Sequence, residues 1–148
     1  MKKELLHIVL ADDDADDRML FADAVDEIDI TTSLKVFKHG QELMDYLMDE
    51  SVLLPDIVFL DLNMPIKNGM QCLKEIRQTP HLAALCVAIY STSSSEQDIE
   101  ETFVKGANIY INKPTSFTKL KRTVEKVLRL NWQYHTANLN KHNFLLRL

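Results

Sequence analysis

The chain has 148 residues, 46% of them hydrophobic and 26% charged, which is enough apolar content for one full core without disulfide or metal staples. Its 22 acidic residues outnumber 17 lysines and arginines, and the net charge of -5 argues against nucleic acid as the main partner, because phosphate binding needs a basic face. No apolar run reaches membrane-spanning length. Lys2 and Lys3 before Leu5 to Ala11 fail as a secretion signal, since Glu4 and His7 interrupt the apolar stretch and acids follow where small residues belong. Cys72 and Cys86 lack metal-ligand and CxxC spacing, so they read as reduced core thiols of a cytoplasmic protein, and the five histidines form no zinc pattern.

The first strand is expected over about His7 to Ala11, running into Asp12, Asp13 and Asp14. A helix follows, with Leu20, Phe21, Ala24, Val25 and Ile28 at helical spacing and Asp14 or Asp16 as its cap. Asp16 and Asp17 read as solvated acids of its first turn. Leu34 to Phe37 is a short second strand, and Gly40 precedes a helix with Leu43, Met44, Leu47 and Met48 on one face. Ile57 to Leu60, bounded by Pro55 and Pro65, reads as a strand buried on both faces that delivers Asp61 at its carboxyl end. In the following loop, Asn68-Gly69 permits a turn with positive φ. Met70, Leu73 and Ile76 mark a third helix that ends by Thr79, ahead of Pro80.

Leu85 to Tyr90 is the fourth strand, ending in Ser91 and Thr92. One of the serines up to Ser95 caps a helix anchored by Ile99 and Phe103 and terminated by Gly106. Ile109 to Ile111 is the fifth strand, ending in Asn112, Lys113 and Pro114, and the last clear helix starts near Ser116 with Phe117, Leu120, Val124, Val127 and Leu128 in one stripe. Five strands alternating with helices through short connections specify a doubly wound α/β fold with helices on both faces of a parallel sheet.

Right-handed crossovers place all carboxyl ends on one edge, and ligands gather there where the strand order reverses. If the first and third strands are neighbours, Asp12, Asp13 and Asp61 converge, and Ser91 and Lys113 reach the same rim. Crowded carboxylates repel one another, and a divalent cation relieves that repulsion. An all-oxygen ligand set suits Mg²⁺, with Asp13 and Asp61 as direct ligands, Asp12 acting through water and the Asn63 carbonyl available. A metal, an ammonium and a hydroxyl facing one carboxylate favour phosphoryl transfer, with Asp61 as nucleophile forming an acyl phosphate.

The motifs IVLADDD, LDLNMPIKNG, IYSTSSSEQDI and GANIYINKP occur in this order, and with them the sequence resembles the receiver domains of two-component response regulators over nearly all of Leu5 to Leu130. That resemblance implies a flavodoxin-like five-stranded parallel sheet of order 2-1-3-4-5. It implies Asp12 and Asp13 as the acidic pair and Asp61 as phosphoacceptor. Ser91 would be the switch hydroxyl, Lys113 the phosphate-contacting lysine and Tyr110 a switch aromatic whose ring moves inward. It further implies a cis bond before Pro114, and positions that tune dephosphorylation at Asn63 and Ser93. Thr92 competes with Ser91 for the switch role, and strand alternation and the family register both favour Ser91.

The implied partners are a sensor histidine kinase or phosphotransfer protein and a downstream protein, with no nucleic acid and no membrane. The finer pattern is most similar to single-domain regulators paired with bacterial phytochromes. A pseudo-receiver that binds partners without phosphorylation and a haloacid-dehalogenase-type phosphatase, suggested by Asp12-x-Asp14, are the alternatives. No turnover beyond slow self-dephosphorylation is expected. Residues 1-130 are expected to form the receiver domain. Residues 131-148, with Trp132, Tyr134, Leu139 and Phe144 to Leu148, are expected either to pack on that domain or to build a homodimer contact.

Overall fold

The computed structural model describes residues 5–130 and 145–146. In chain order the elements are β1 (Leu6–Ala11), α1 (Ala15–Glu27), β2 (Thr32–Phe37), α2 (Gly40–Met48), β3 (Ile57–Leu60), α3 (Gly69–Gln78), β4 (Val87–Ser91), α4 (Glu96–Val104), β5 (Ile109–Asn112), α5 (Phe117–Leu128) and β6 (Leu145–Leu146). All described pairings are parallel, and the strand order is β2-β1-β3-β4-β5, as the alternation and the resemblance lead one to expect. Beyond that order, the two-residue β6 adds to the outer edge of β5, with Tyr110 opposite Leu145 and Ile111 opposite Leu146. Apart from β6, the expected packing or dimer role of the tail lies outside the described residues.

The period of two along each strand divides the core into halves. Val9 and Ala11, Val58 and Leu60, and Val87 and Ile89 point to one face, where Leu43, Met44 and Leu47 of α2, Leu73 and Ile76 of α3, and Ile99 of α4 cover them. Ile8 and Leu10, Ile57 and Phe59, and Ala88 and Tyr90 point to the other, under Phe21 and Val25 of α1 and Leu120, Val124 and Val127 of α5. Strands β1, β3 and β4 are buried on both faces, which is why their sequences are nearly unbroken apolar runs. Both cysteines are free and buried, and burial pushes each thiol up to about 12.

The helix starts follow the expected caps. Asp14 caps α1, Ser95 caps α4 and Ser116 caps α5, each side chain accepting a hydrogen bond from a backbone N–H in the first turn. Gly106 ends α4 with φ 95°. Strand β4 begins two residues later than its apolar run, because Leu85 closes a turn onto the Leu82 carbonyl.

The loop after β3 departs from expectation. Asn68 has φ -81° and caps α3, with a reciprocal pair of bonds to Gln71 that makes a capping box. The positive φ falls instead on Ile66, at 68°, where the Lys67 N–H donates to the Pro65 carbonyl across a γ-turn. Gly69 is required for another reason. A Cβ there would lie 2.2 Å from the Asp61 carbonyl oxygen, so α3 starts directly against the backbone of Asp61.

Candidate functional site

The strand order reverses between β1 and β3, and the carboxyl ends of these two strands are stitched together. The Asp61 N–H donates to the Ala11 carbonyl at 3.0 Å, and the Asp12 N–H to the Phe37 carbonyl at 3.0 Å. The first bond sets Asp61 beside the end of β1, and the second ties the Asp12 backbone to the end of β2. Each of Asp12, Asp13 and Asp61 offers a carboxylate oxygen within 4.8 Å of the others, Asp12 and Asp61 buried and Asp13 exposed.

Each carboxylate has only part of its bonding capacity filled. Asp61 Oδ1 accepts from the Asn63 N–H at 3.3 Å, and Asp12 Oδ1 accepts from the Asp14 N–H at 3.0 Å. Asp12 Oδ2 is buried without a hydrogen-bond partner, although the Lys113 ammonium stands 2.8 Å away at ion-pair distance. Burial pushes the Asp12 carboxyl up to about 6, against the lowering pull of Lys113 and the Asp14 amide, while the Asp61 charge adds to the rise. Three carboxylates with oxygens within 4.8 Å of one another make an all-oxygen donor set that fits a hard divalent cation, so Asp12, Asp13 and Asp61 are the residues that could hold one. The exposed Asn63 sits on the same loop, with its backbone N–H turned to Asp61.

Lys113 comes from the end of β5, where its N–H bonds the Ser91 carbonyl at 2.8 Å and ties it to the adjacent strand. Its Nζ donates to Asp61 Oδ2 at 3.1 Å and to Asp17 Oδ2 at 2.8 Å, and it lies 5.2 Å from the centre of the Tyr90 ring. Burial opposes the ammonium charge, yet the carboxylates of Asp12, Asp17 and Asp61 outweigh it and hold Lys113 above its ordinary value. The Lys113-Pro114 bond is not cis as expected, since no described peptide bond is. Trans is the lower-energy prolyl isomer by about 0.5–1 kcal/mol, and the lysine reaches its carboxylates from it.

Ser91 is fully buried at the end of β4, and its Oγ accepts from the Ser93 N–H at 3.1 Å. Thr92, just past the end of β4, is exposed. The Tyr110 ring is fully buried, so it already occupies the inward position, and its hydroxyl donates to the Ser93 carbonyl at 2.8 Å. Ser93 Oγ donates to Asp98 Oδ2 of α4 at 2.6 Å. Ser93 thus links Ser91, the Tyr110 ring and α4.

Several participants escape a reading from sequence. Asp17 contacts Lys113 while keeping part of its side chain in solvent, a contact between residues 96 apart in the chain. Asn112 Nδ2 lies within 3.3 Å of the Ser91, Thr92 and Ser93 carbonyls and clamps the β4–α4 loop. Arg18 Nη1 donates to the Asp12 carbonyl at 2.8 Å and braces the turn after β1. Only the position of Asn112, beside Lys113 at a strand end, hinted at a part in the site.

Comparison with known proteins agrees with this geometry. A family model described as the response regulator receiver domain matches residues 8–125. The probable methanogenesis regulatory protein FilR2 of Methanothrix harundinacea is 32% identical over 123 residues, which are 81% of this chain and 79% of that protein. Response regulator Rcp1 of Synechocystis is 28% identical over 124 residues, 81% of this chain and 84% of its own length. Its Mn²⁺-bound crystal structure superposes with a TM-score of 0.76, covering 82% of this chain and 91% of that one. The phosphorylated cyanobacterial phytochrome response regulator RcpA, also 28% identical, gives 0.78 over 91% and 96%. No helix among the described residues is long and apolar enough to cross a membrane.

Proposed function

The chain belongs to the response regulator receiver domains, and from that premise we propose that it accepts a phosphoryl group on Asp61 from the phosphohistidine of a histidine kinase or phosphotransfer protein. The observation that carries this reading is the convergence of Lys113 with Asp12, Asp13 and Asp61 at the reversal of strand order. The similarity to the phytochrome response regulator RcpA supports a phytochrome-type kinase as the donor.

A carboxylate oxygen of Asp61 attacks phosphorus in line with the P–N bond of the donor. As the O–P bond forms, the P–N bond breaks and the imidazole departs with the electron pair. Negative charge spreads over the equatorial oxygens, and the Lys113 ammonium, 3.1 Å from Asp61, is placed to offset it. Mg²⁺, when held by Asp12, Asp13 and Asp61, supplies the rest of that stabilisation and relieves the repulsion among the carboxylates. Asn63, exposed beside the cluster, and Ser93, tied to Asp98, would tune loss of the phosphoryl group.

Output follows from Ser91. A hydroxyl that turns to the phosphoryl oxygens releases the Ser93 N–H that it now accepts from. Ser93 also holds the Tyr110 hydroxyl through its carbonyl and Asp98 through its own hydroxyl, so its shift reaches β5 and α4 together. The result is a population shift of the α4–β5–α5 face, read by a downstream protein. The test uses NMR of the full chain with Mg²⁺ and fluoroberyllate, a phosphoryl mimic. Amide signals of Ser91, Ser93, Asp98 and Tyr110 are expected to move, and in Ser91→Ala the signals of Asp98 and Tyr110 are expected to stay. Shifts confined to the loop around Asp61 would contradict the switch.

A further inference from the structure

Asp17 has no part in the phosphoacceptor chemistry set out above, yet its Oδ2 receives one of the shorter hydrogen bonds in the site, 2.8 Å from Lys113 Nζ against 3.1 Å for Asp61. Its backbone is fixed in the first turn of α1, where its N–H donates to the Asp14 cap at 2.9 Å. The side chain is 34% exposed, while that of Lys113 is 8% exposed. Asp17 also lies outside the set of Asp12, Asp13 and Asp61 whose oxygens are spaced for a cation.

The lysine does not need Asp17 to stay in place. Its ammonium is already held by the buried Asp12 at 2.8 Å, by Asp61 and by the face of Tyr90. Asp17 therefore acts on the strength of the ammonium's pull more than on its position. An arriving phosphoryl group is an anion that must draw on Lys113. Asp17 competes for the same N–H donors and sets a further negative charge against the incoming anion, so its two effects have the same sign.

Building on the phosphoacceptor reading, we infer that Asp17 is a positioning residue that attenuates the site, acting through Lys113 to lower its affinity for a phosphoryl group. Removing the charge frees one lysine donor for the phosphoryl oxygens. Because the pair is partly exposed, the gain is modest, about two- to fivefold.

The test is the affinity for fluoroberyllate at saturating Mg²⁺, measured calorimetrically on the native full chain, Asp17→Asn and Asp16→Asn. The neighbouring Asp16 is exposed and loses the same charge in its variant, but the ammonium's carboxylate partners are Asp12, Asp17 and Asp61. Asp17→Asn is expected to bind about two- to fivefold more tightly with unchanged thermal unfolding, and Asp16→Asn to bind like the native chain. Equal gains in both variants would reduce the effect to net charge and overturn the role through Lys113. Weaker or unchanged binding in Asp17→Asn would overturn it as well. A native chain that binds no fluoroberyllate would instead overturn the phosphoacceptor reading on which the inference rests.

Discussion

Asp12 is the residue at which a proton and a bound cation would compete. Its carboxyl is raised from 3.8 to about 6 in the folded chain, chiefly by burial, so between those values the folded state holds a proton that the unfolded state has released. In the metal-free chain this contribution to stability is present below the unfolded value and is lost as pH rises through about 6. Mg²⁺ needs the ionised form, so its affinity is expected to fall as pH drops below about 6 and to level off above it. Calorimetric titration with Mg²⁺ from pH 5 to 8 checks this, and a flat affinity would contradict it. Ile66 holds a different kind of cost, a β-branched side chain at φ 68°, exposed at the tip of a γ-turn. Ile66→Gly is expected to raise stability by about 0.5–1 kcal/mol, the steric relief exceeding the added chain entropy. Urea unfolding at fixed pH measures it, and a lower midpoint would show that the turn is not strained. At this scale the sequence disclosed the residues that end strands, Asp12, Asp61, Ser91 and Lys113, because strand direction alone places them on one edge. Asp17 and Ile66 were hidden, since each depends on where one particular loop or helix turn comes to rest.

Among the elements, α3 and α4 are joined by one side chain. Arg77 near the end of α3 donates to the carbonyls of Gly106, Ala83 and Leu85 and to Asn108 Oδ1. Asn108 Oδ1 in turn accepts from the Val87 N–H at 2.8 Å, so the guanidinium braces the entry to β4 and the exit from α4 together. The aliphatic stem of Arg77 lies over Gly106, where a Cβ would sit 3.1 Å from Nε. Arg77→Ala removes the donor from the part-buried Gly106 and Leu85 carbonyls and is expected to cost about 2–3 kcal/mol. Thermal and urea unfolding measure the loss, and a change under 0.5 kcal/mol would show that water replaces the guanidinium without penalty. Nothing in the spacing of Arg77 distinguishes it from an ordinary basic residue in a last helical turn, so this brace was illegible. Element identity was legible because the periods are clean: a helical stripe at Leu120, Val124 and Val127, and nearly unbroken apolar runs at β1, β3 and β4. The Asn68-Gly69 turn was misplaced because Asn serves equally as a helix cap, and the capping box with Gln71 prevailed.

For the whole molecule, the order β2-β1-β3-β4-β5 followed from alternation, the right-handed crossover and the family resemblance, and the site followed from the order. The parallel β6 did not, because two leucines carry no strand signal of their own. The trans bond before Pro114 also ran against expectation, since a family habit is not a local preference of this chain. The fold brings one ammonium and three buried or half-exposed carboxylate partners to the reversal point, and the proposed phosphoacceptor is Asp61 of that group. The most direct test is intact-mass spectrometry of the native chain and Asp61→Asn after incubation with acetyl phosphate, with and without Mg²⁺. One added phosphoryl group is expected on the native chain only with Mg²⁺, and none on Asp61→Asn. Equal labelling of both proteins, or none on a native chain supplied with Mg²⁺, would contradict the assignment of Asp61 as phosphoacceptor.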